Sequence, residues 1–227
     1  MKTLSVIVPM LNEAAAIANT LDAIRRGASG AEIIVVDGGS TDASVATARP
    51  SCDQLIVTSR GRAIQMNAGA SAAHGKVLAF VHADTIVPPT FAADIATALS
   101  NRTVIGGRFD VELDSSALPY RIIGAMISLR SRISRTGTGD QAIFVRRQVF
   151  DGLGGFADIE LCEDLEFSRR MKRAGRVACL RSRVTTSARR WSRDGIVRTV
   201  VTMWLIRVMY LLGVAPSRLK RMYADRR

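Results

Sequence analysis

The chain is poor in the residues that most often staple or switch a small protein: its 227 residues include 3 cysteines, 2 histidines and 2 tryptophans. Cys52, Cys162 and Cys179 are an odd number at wide spacings. That excludes a disulfide framework and fits no structural zinc pattern. A reducing cytosol is the expected compartment. Nowhere does G-x-x-x-x-G-K-[ST] occur, which excludes a P-loop. There is no internal repeat and no low-complexity linker. The start, MKTLSVIVPMLNE, carries a strand-length apolar run closed by Pro9. A secretory signal core would run for roughly 7–15 residues, so no export is expected. The sequon-like NRT at 101–103 is discounted for the same reason.

What is present is a core-forming composition with a lopsided charge. Hydrophobic residues make up 48% of the chain, enough to fill a sizeable core and exclude disorder. Net charge is +12, and residues 1–110 balance 9 Lys/Arg against 9 Asp/Glu while 111–227 hold 23 against 11. The second half therefore suits an anionic partner: phosphate groups, nucleic acid or acidic lipid. Nucleic acid is not expected, because the arginines lack aromatic interleaving and any recognition motif.

Apolar runs of strand length alternate with helical periodicity through the first half, the pattern of βα units on a mostly parallel sheet. Strands are predicted at 4–9, 32–37, 54–58 and 76–82, with helices at 13–26, 40–48, 62–73 and 89–100. Beyond them, TVIGGRFDVEL reads as a strand, 118–134 as a basic helix, 140–146 as a strand and 163–174 as a charged helix. The expectation is one α/β domain over residues 1–193, followed by an apolar helix and basic tail over 194–227.

Ligands of open parallel sheets sit at the carboxyl ends of the strands, so polar residues there carry the most information. Three strands exit alike: SVIVPMLNE through Pro9 to Glu13, EIIVVDGGSTD through Asp37 to Gly38, and KVLAFVHADT through His82 to Asp84. Each has a plain structural alternative. Glu13 suits a helix dipole, Asp37 a turn before two glycines, and His82 a strand end. Three acidic exits together point to one crevice. GTGDQA at 137–142 matches a dinucleotide fingerprint, but a basic helix precedes it and a strand follows, which is the wrong context. CEDLEFSRRMKRAG at 162–175 has acids before bases, as a helix dipole rewards.

In that order, VPMLNEAAAI (8–17), VVDGGSTD (35–42), FVHADT (80–85) and CEDLEFSRRMKRAG resemble glycosyltransferase family 2. GRAIQMNAGA (61–70) and SARRW (187–191) resemble segments of one bacterial subgroup. The resemblance implies a GT-A fold, a Rossmann-like, mostly parallel α/β sheet that binds a nucleotide-diphosphate sugar, here with a helical basic C-terminal extension. It implies transfer to an acceptor hydroxyl with inversion, and UDP as the nucleotide. Pro9, Glu13, Asp37 and Gly38 would surround the nucleoside; Arg60, Gly61 and Arg62 would lie over the base or diphosphate. Ala83, Asp84, Arg189, Arg190 and Trp191 would complete the donor site. Asp84 matches the last carboxylate of the family's D-x-D motif, which holds Mn²⁺ or Mg²⁺. His82 occupies the first position in place of aspartate, a departure that leaves the metal's identity open, since Mn²⁺ accepts imidazole more readily than Mg²⁺. Asp164 matches the catalytic base, with Glu163 beside it as the second candidate. A nucleotidyltransferase, or a non-catalytic protein that binds a nucleotide sugar or scaffolds a membrane complex, is the alternative.

The stretch GIVRTVVTMWLIRVMYLLGVAP (195–216) is apolar but interrupted by Arg198 and Arg207. A central arginine costs about 2.5–3.5 kcal/mol on the insertion scale, so a full span is not expected. Such a helix hides in the fold, in a homodimer through 195–215, or on the inner face of the cell membrane. The last of these would suit a lipid-linked acceptor.

Overall fold

The computed structural model describes residues 3–224. The chain runs β1 (Leu4–Met10), α1 (Ile17–Gly27), β2 (Glu32–Asp37), α2 (Ser44–Ala48), β3 (Gln54–Val57), α3 (Arg62–Ala72), β4 (Val77–Phe80), β5 (Thr85–Ile86) and α4 (Phe91–Ser100). It continues through β6 (Val104–Leu113), α5 (Leu118–Ser134), β7 (Ile143–Arg146), α6 (Arg147–Gly152), α7 (Glu163–Ala174), β8 (Arg176–Thr186), α8 (Arg189–Asp194), α9 (Ile196–Leu211) and α10 (Pro216–Ala224).

Every residue of β1 and β2 is buried. Both strands lie inside a parallel sheet with covered faces, which is why they read as continuous apolar runs rather than alternating ones. The eight-stranded order is β3-β2-β1-β4-β7-β6-β8-β5. Strands β1 to β4 pair in parallel, so their carboxyl ends share one edge of the sheet. β7 is antiparallel to both β4 and β6, and the long β8 pairs in parallel with β6. Gly106 and Gly107 permit the β6–β7 approach, since a Cβ on them would meet Phe144 at 2.5 Å.

The sheet divides the core by its period of two. Val6, Val8, Ile33 and Val35 face one layer with Ile17, Leu21, Ile24, Phe91 and Phe109. Ile7, Ile34 and Val36 face the other, with Met66, Phe150, Phe156 and Phe167. In that second layer Phe167 of α7 lies 4.5 Å from Phe156 and 5.4 Å from Phe150, ring centre to ring centre. Such pairs contribute about 0.5–1.5 kcal/mol beyond buried area. Arg170, one turn on, donates to the carbonyls of Leu153 and Gly155. These contacts fix the axis of α7, and hence its first turn.

Several boundaries differ from the expectations. Helix α1 begins at Ile17 rather than residue 13, because Glu13 to Ala16 form a turn closed by Ala16 N–H on the Glu13 carbonyl. α2 is confined to Ser44–Ala48, as residues 40–42 bond to the neighbouring β1 exit. The strand expected at 140–146 begins at Ile143, after a 3₁₀ turn over Gly139–Gln141. β4 ends at Phe80, leaving His82 in the loop beyond.

Candidate active site

The exits of β1 and β2 are stitched together by side chains on backbone. Asn12, at φ 54°, donates its N–H to Ser40 Oγ and accepts from Thr41 N–H. Glu13 N–H donates to Ser44 Oγ, and Ala14 N–H to Asp42. Asp37 accepts from the N–H groups of Gly39 and Ser40 and from the Ser40 hydroxyl. Its carboxylate is thus taken up by its own turn, in which Gly39 supplies φ 89°. Underneath, the buried Gln65 amide donates to the carbonyls of Met10 and Val36. Gly38 lies against that amide, where a Cβ would sit 3.0 Å away. Pro9 is buried in β1, whereas Arg60 is exposed before α3.

The β4 exit supplies two stations. At the first, Asp84 and Glu13 share one cation: Arg189, at the start of α8, pairs with Glu13 and lies 3.6 Å from Asp84. Burial and the nearby Asp84 push the Glu13 carboxyl up, against the pull of Arg189. Thr20 holds the segment through a 2.9 Å bond from its hydroxyl to the Ala83 carbonyl. Two hard carboxylates facing a positive group are the donor type that Mg²⁺ or Mn²⁺ takes. Among the described residues no group of three or more His, Cys, Asp or Glu gathers to enclose an ion. The fit is therefore to an open site that relies on further oxygen ligands from a substrate.

The second station lies around His82. Its Nε2 is sealed from solvent without a hydrogen-bond partner. Burial, and then Arg62 and Arg190, hold its pKa well below the usual histidine range, so the ring is neutral. A Cβ on Gly139 would stand 2.3 Å from Nε2 and 3.6 Å from Asp164 Oδ2. Gly139 N–H donates to that same Asp164 oxygen at 2.6 Å. Glu163 beside it is buried and pairs with Arg62 at 3.3 Å. Burial and the Asp164 charge push the Glu163 carboxyl up. Of the two sequence candidates, Asp164 is the more accessible, and Glu163 is held by a cation from α3.

Four contributors went unrecognised in the sequence. Thr138 and Asp140 belong to GTGDQA, which is not a cofactor loop but the 3₁₀ turn that brings Gly139 to Asp164. Thr138 donates to Asp140, whose carboxyl burial pushes up. Arg130 of α5 reaches Thr138, and Arg207 of α9 reaches Thr136. Burial lowers the Arg207 pKa to about 10 and raises that of the Cys162 thiol to about 12. The signal available was a Thr-Gly-Asp-Gln run with Gln at N3, which is a capping box. Trp191 is 6% exposed and packs among Leu113, Ile123 and Ala188, anchoring α8.

The sequence matches the family described as glycosyl transferase family 2 over residues 5–157. A Mycobacterium bovis protein named PGL/p-HBAD biosynthesis glycosyltransferase is 30% identical over 164 residues, covering 67% of this chain and 62% of that protein. The chain thus spans about three fifths of the length of the curated relatives it matches. Among solved structures, Staphylococcus aureus TarS 1–349 in complex with UDP-GlcNAc superposes with a TM-score of 0.65 at 21% identity, covering 82% of this chain and 58% of that one. A Pyrobaculum calidifontis mannosyltransferase in complex with GDP-Man and Mn²⁺ gives 0.64 at 22% identity, covering 90% and 64%. These likenesses show the GT-A fold.

Proposed function

The chain belongs to glycosyl transferase family 2, and from that we propose that it is an inverting transferase moving a sugar from a nucleotide-diphosphate sugar to an acceptor hydroxyl. The observation that carries this reading is the pairing of the two stations. The Glu13–Asp84–Arg189 group and the His82–Gly139–Asp164 group meet on one short span, because His82 and Asp84 are two residues apart. Two residues reach no more than about 7 Å, the scale of a sugar ring and its leaving phosphate.

In this reading the crossed loops of β1 and β2 form the nucleoside side, with Asp37 shaping the turn that presents Gly38 and Ser40. Pro9 backs that side, and Arg60, Gly61 and Arg62 bound it at the start of α3. Asp84, flanked by Ala83 and Glu13, would hold Mn²⁺ or Mg²⁺. Such an ion supplies Lewis-acid stabilisation to a departing diphosphate, worth several kcal/mol. Arg189 and Arg190 add fixed positive charge where the leaving group becomes more anionic. His82, neutral, is the less suited metal ligand, because its buried Nε2 lies against Gly139. Across the sugar, Asp164 removes the acceptor proton as the hydroxyl attacks the face opposite the diphosphate. The Gly139 N–H leaves the carboxylate further lone pairs for that task. A general base of this kind contributes roughly 10²–10⁴-fold. The names UDP-GlcNAc and GDP-Man on the neighbouring structures support a nucleotide-sugar donor and favour no single base.

A thermal-shift panel of UDP-, GDP- and dTDP-sugars with and without Mn²⁺ tests the donor site. A sugar nucleotide at a hundred times its Kd stabilises the native state by about 2.7 kcal/mol. At least one should raise Tm, and more so with Mn²⁺. Asp164→Asn should keep that shift while losing transfer by at least about 10²-fold. A panel with no shift, or a variant with full activity, overturns the assignment.

A further inference from the structure

Helices α5 and α9 are tied to each other's flanking segments at two points. Tyr120 bonds Ser192 just before α9, and Arg207 near the far end of α9 bonds Thr136 just beyond α5. Between those ties, Ile127 and Ile196 both pack at the cluster around Trp191. The inward residues of α5 are the small or apolar Ile123, Gly124, Ser128 and Ser131. Its outward stripe is Leu118, Ile122, Met126, Leu129 and Ile133, each between 50% and 76% exposed. α9 repeats the arrangement with Val197, Val201, Trp204 and Val208, continued by Leu212 just past its end, each between 44% and 78% exposed. Both stripes follow helical spacing, so each is one continuous face. At 17 residues, α5 presents about 25 Å of it. Monomeric proteins rarely leave so large an apolar patch uncovered.

We propose that the paired outward faces of α5 and α9 dock flat on an anionic lipid bilayer. Charge selects this occupant. Helices α5, α9 and α10 contain 3, 2 and 3 Lys/Arg respectively and not one Asp or Glu. Arg121, Arg135 and Arg198 are exposed around the two stripes, and Arg218 and Arg221 on α10. A two-fold interface between copies would set like against like, because the same patch meets itself. An acidic lipid surface instead attracts each of these cations, by about fivefold in binding per residue near the membrane. Trp204, half exposed in the middle of α9, suits the headgroup boundary. No described helix is long and apolar enough to cross a membrane, so the contact is in the plane. On the transferase reading, docking would set the acceptor side near Asp164 facing lipid, because Arg130 and Arg207 project from these two helices into that region.

Flotation of the full chain tests the proposal. The probes are vesicles of phosphatidylcholine alone and with about one third phosphatidylglycerol. The expected result is flotation with the anionic vesicles at low salt and loss of it at high salt, which screens the rim. Arg121→Gln and Arg218→Gln should each weaken binding about fivefold. Ile133→Asp and Val201→Asp, at exposed positions, should abolish it while circular dichroism and the melting temperature stay those of the parent. The arginine variants keep the test alive if an aspartate variant misfolds. No flotation at low salt overturns the proposal, as does flotation indifferent to every substitution. A dimer in light scattering that Ile133→Asp dissociates would assign the face to a second copy instead. The nucleotide-sugar melting shift, measured on the same samples, reports separately on the donor site.

Discussion

Asp140 tests the buried polar turn beside the site at the scale of one side chain. Burial raises its carboxyl pKa against the hydrogen bond from Thr138 and the charge of Arg130. The native state therefore holds a proton that the unfolded chain releases at about pH 3.9. Stability from this group is present below that value and declines as pH rises through the raised native one. Asp140→Asn keeps an acceptor and cannot ionise. The parent should lose stability relative to this variant as pH climbs above about 4, by at most about 1.4 kcal/mol per pH unit. Urea melts across pH 4–8 would show it; parallel curves would remove the effect. Residues of this kind were the least legible in the sequence. Asp84 and Asp164 stood out because each follows or opens a predicted element, and the structure sets them on adjoining stations. Asp140 and Thr138 sat in a run whose spacing invited a different chemistry, and only the fold shows that the run returns to Asp164. Glu163 and Asp164 were equivalent in the sequence. The ion pair from Arg62 separates them.

The elements were legible where apolar periodicity was strong. α5 and α7 occupy the expected ranges, and the first four strands fall within two residues of theirs. One strand escaped, and another was read only as a strand-like run ahead of SARRW. β5 has two residues, too few for any pattern. In β8 arginines punctuate the run, and half-buried positions blur the alternation. At this scale the decisive joint is the 3₁₀ turn at Gly139, where the backbone passes directly over His82. Gly139→Ala would drive a methyl to within 2.3 Å of Nε2. Either the imidazole or the Asp164 hydrogen bond must shift. Overpacking of this kind costs about 1–3 kcal/mol. The variant should melt lower than the parent and lose transfer more than donor binding, as read by Tm and by nucleotide-sugar titration. An unchanged rate would show that the turn's placement does not govern the chemistry.

For the molecule as a whole, composition foresaw the balance of charge, with its neutral first half and basic second half. It did not foresee how the last helices attach, since apolar residues all round a helix do not say what covers them. The structure tucks Ile196 and Val200 of α9 against the cluster of Leu113, Ile123 and Trp191. Cutting the chain after Asp194 would leave those core residues wet. Uncovering each large side chain forfeits about 1.5–3 kcal/mol. The truncated protein should therefore melt well below the parent and aggregate on heating, measurable by scanning fluorimetry with light scattering. Equal melting would mark α9 and α10 as an appendage that folds apart from residues 1–193.

Strand β5, immediately after Asp84, pairs with β8, made about a hundred residues later, and Arg189 follows at once. During synthesis at about 5–20 residues per second, the emerging polypeptide thus carries mutually repelling carboxylates for several seconds before their restraint arrives. The Glu13–Asp84 pair should consequently stay without its Arg189 partner until β8 and α8 have left the ribosome.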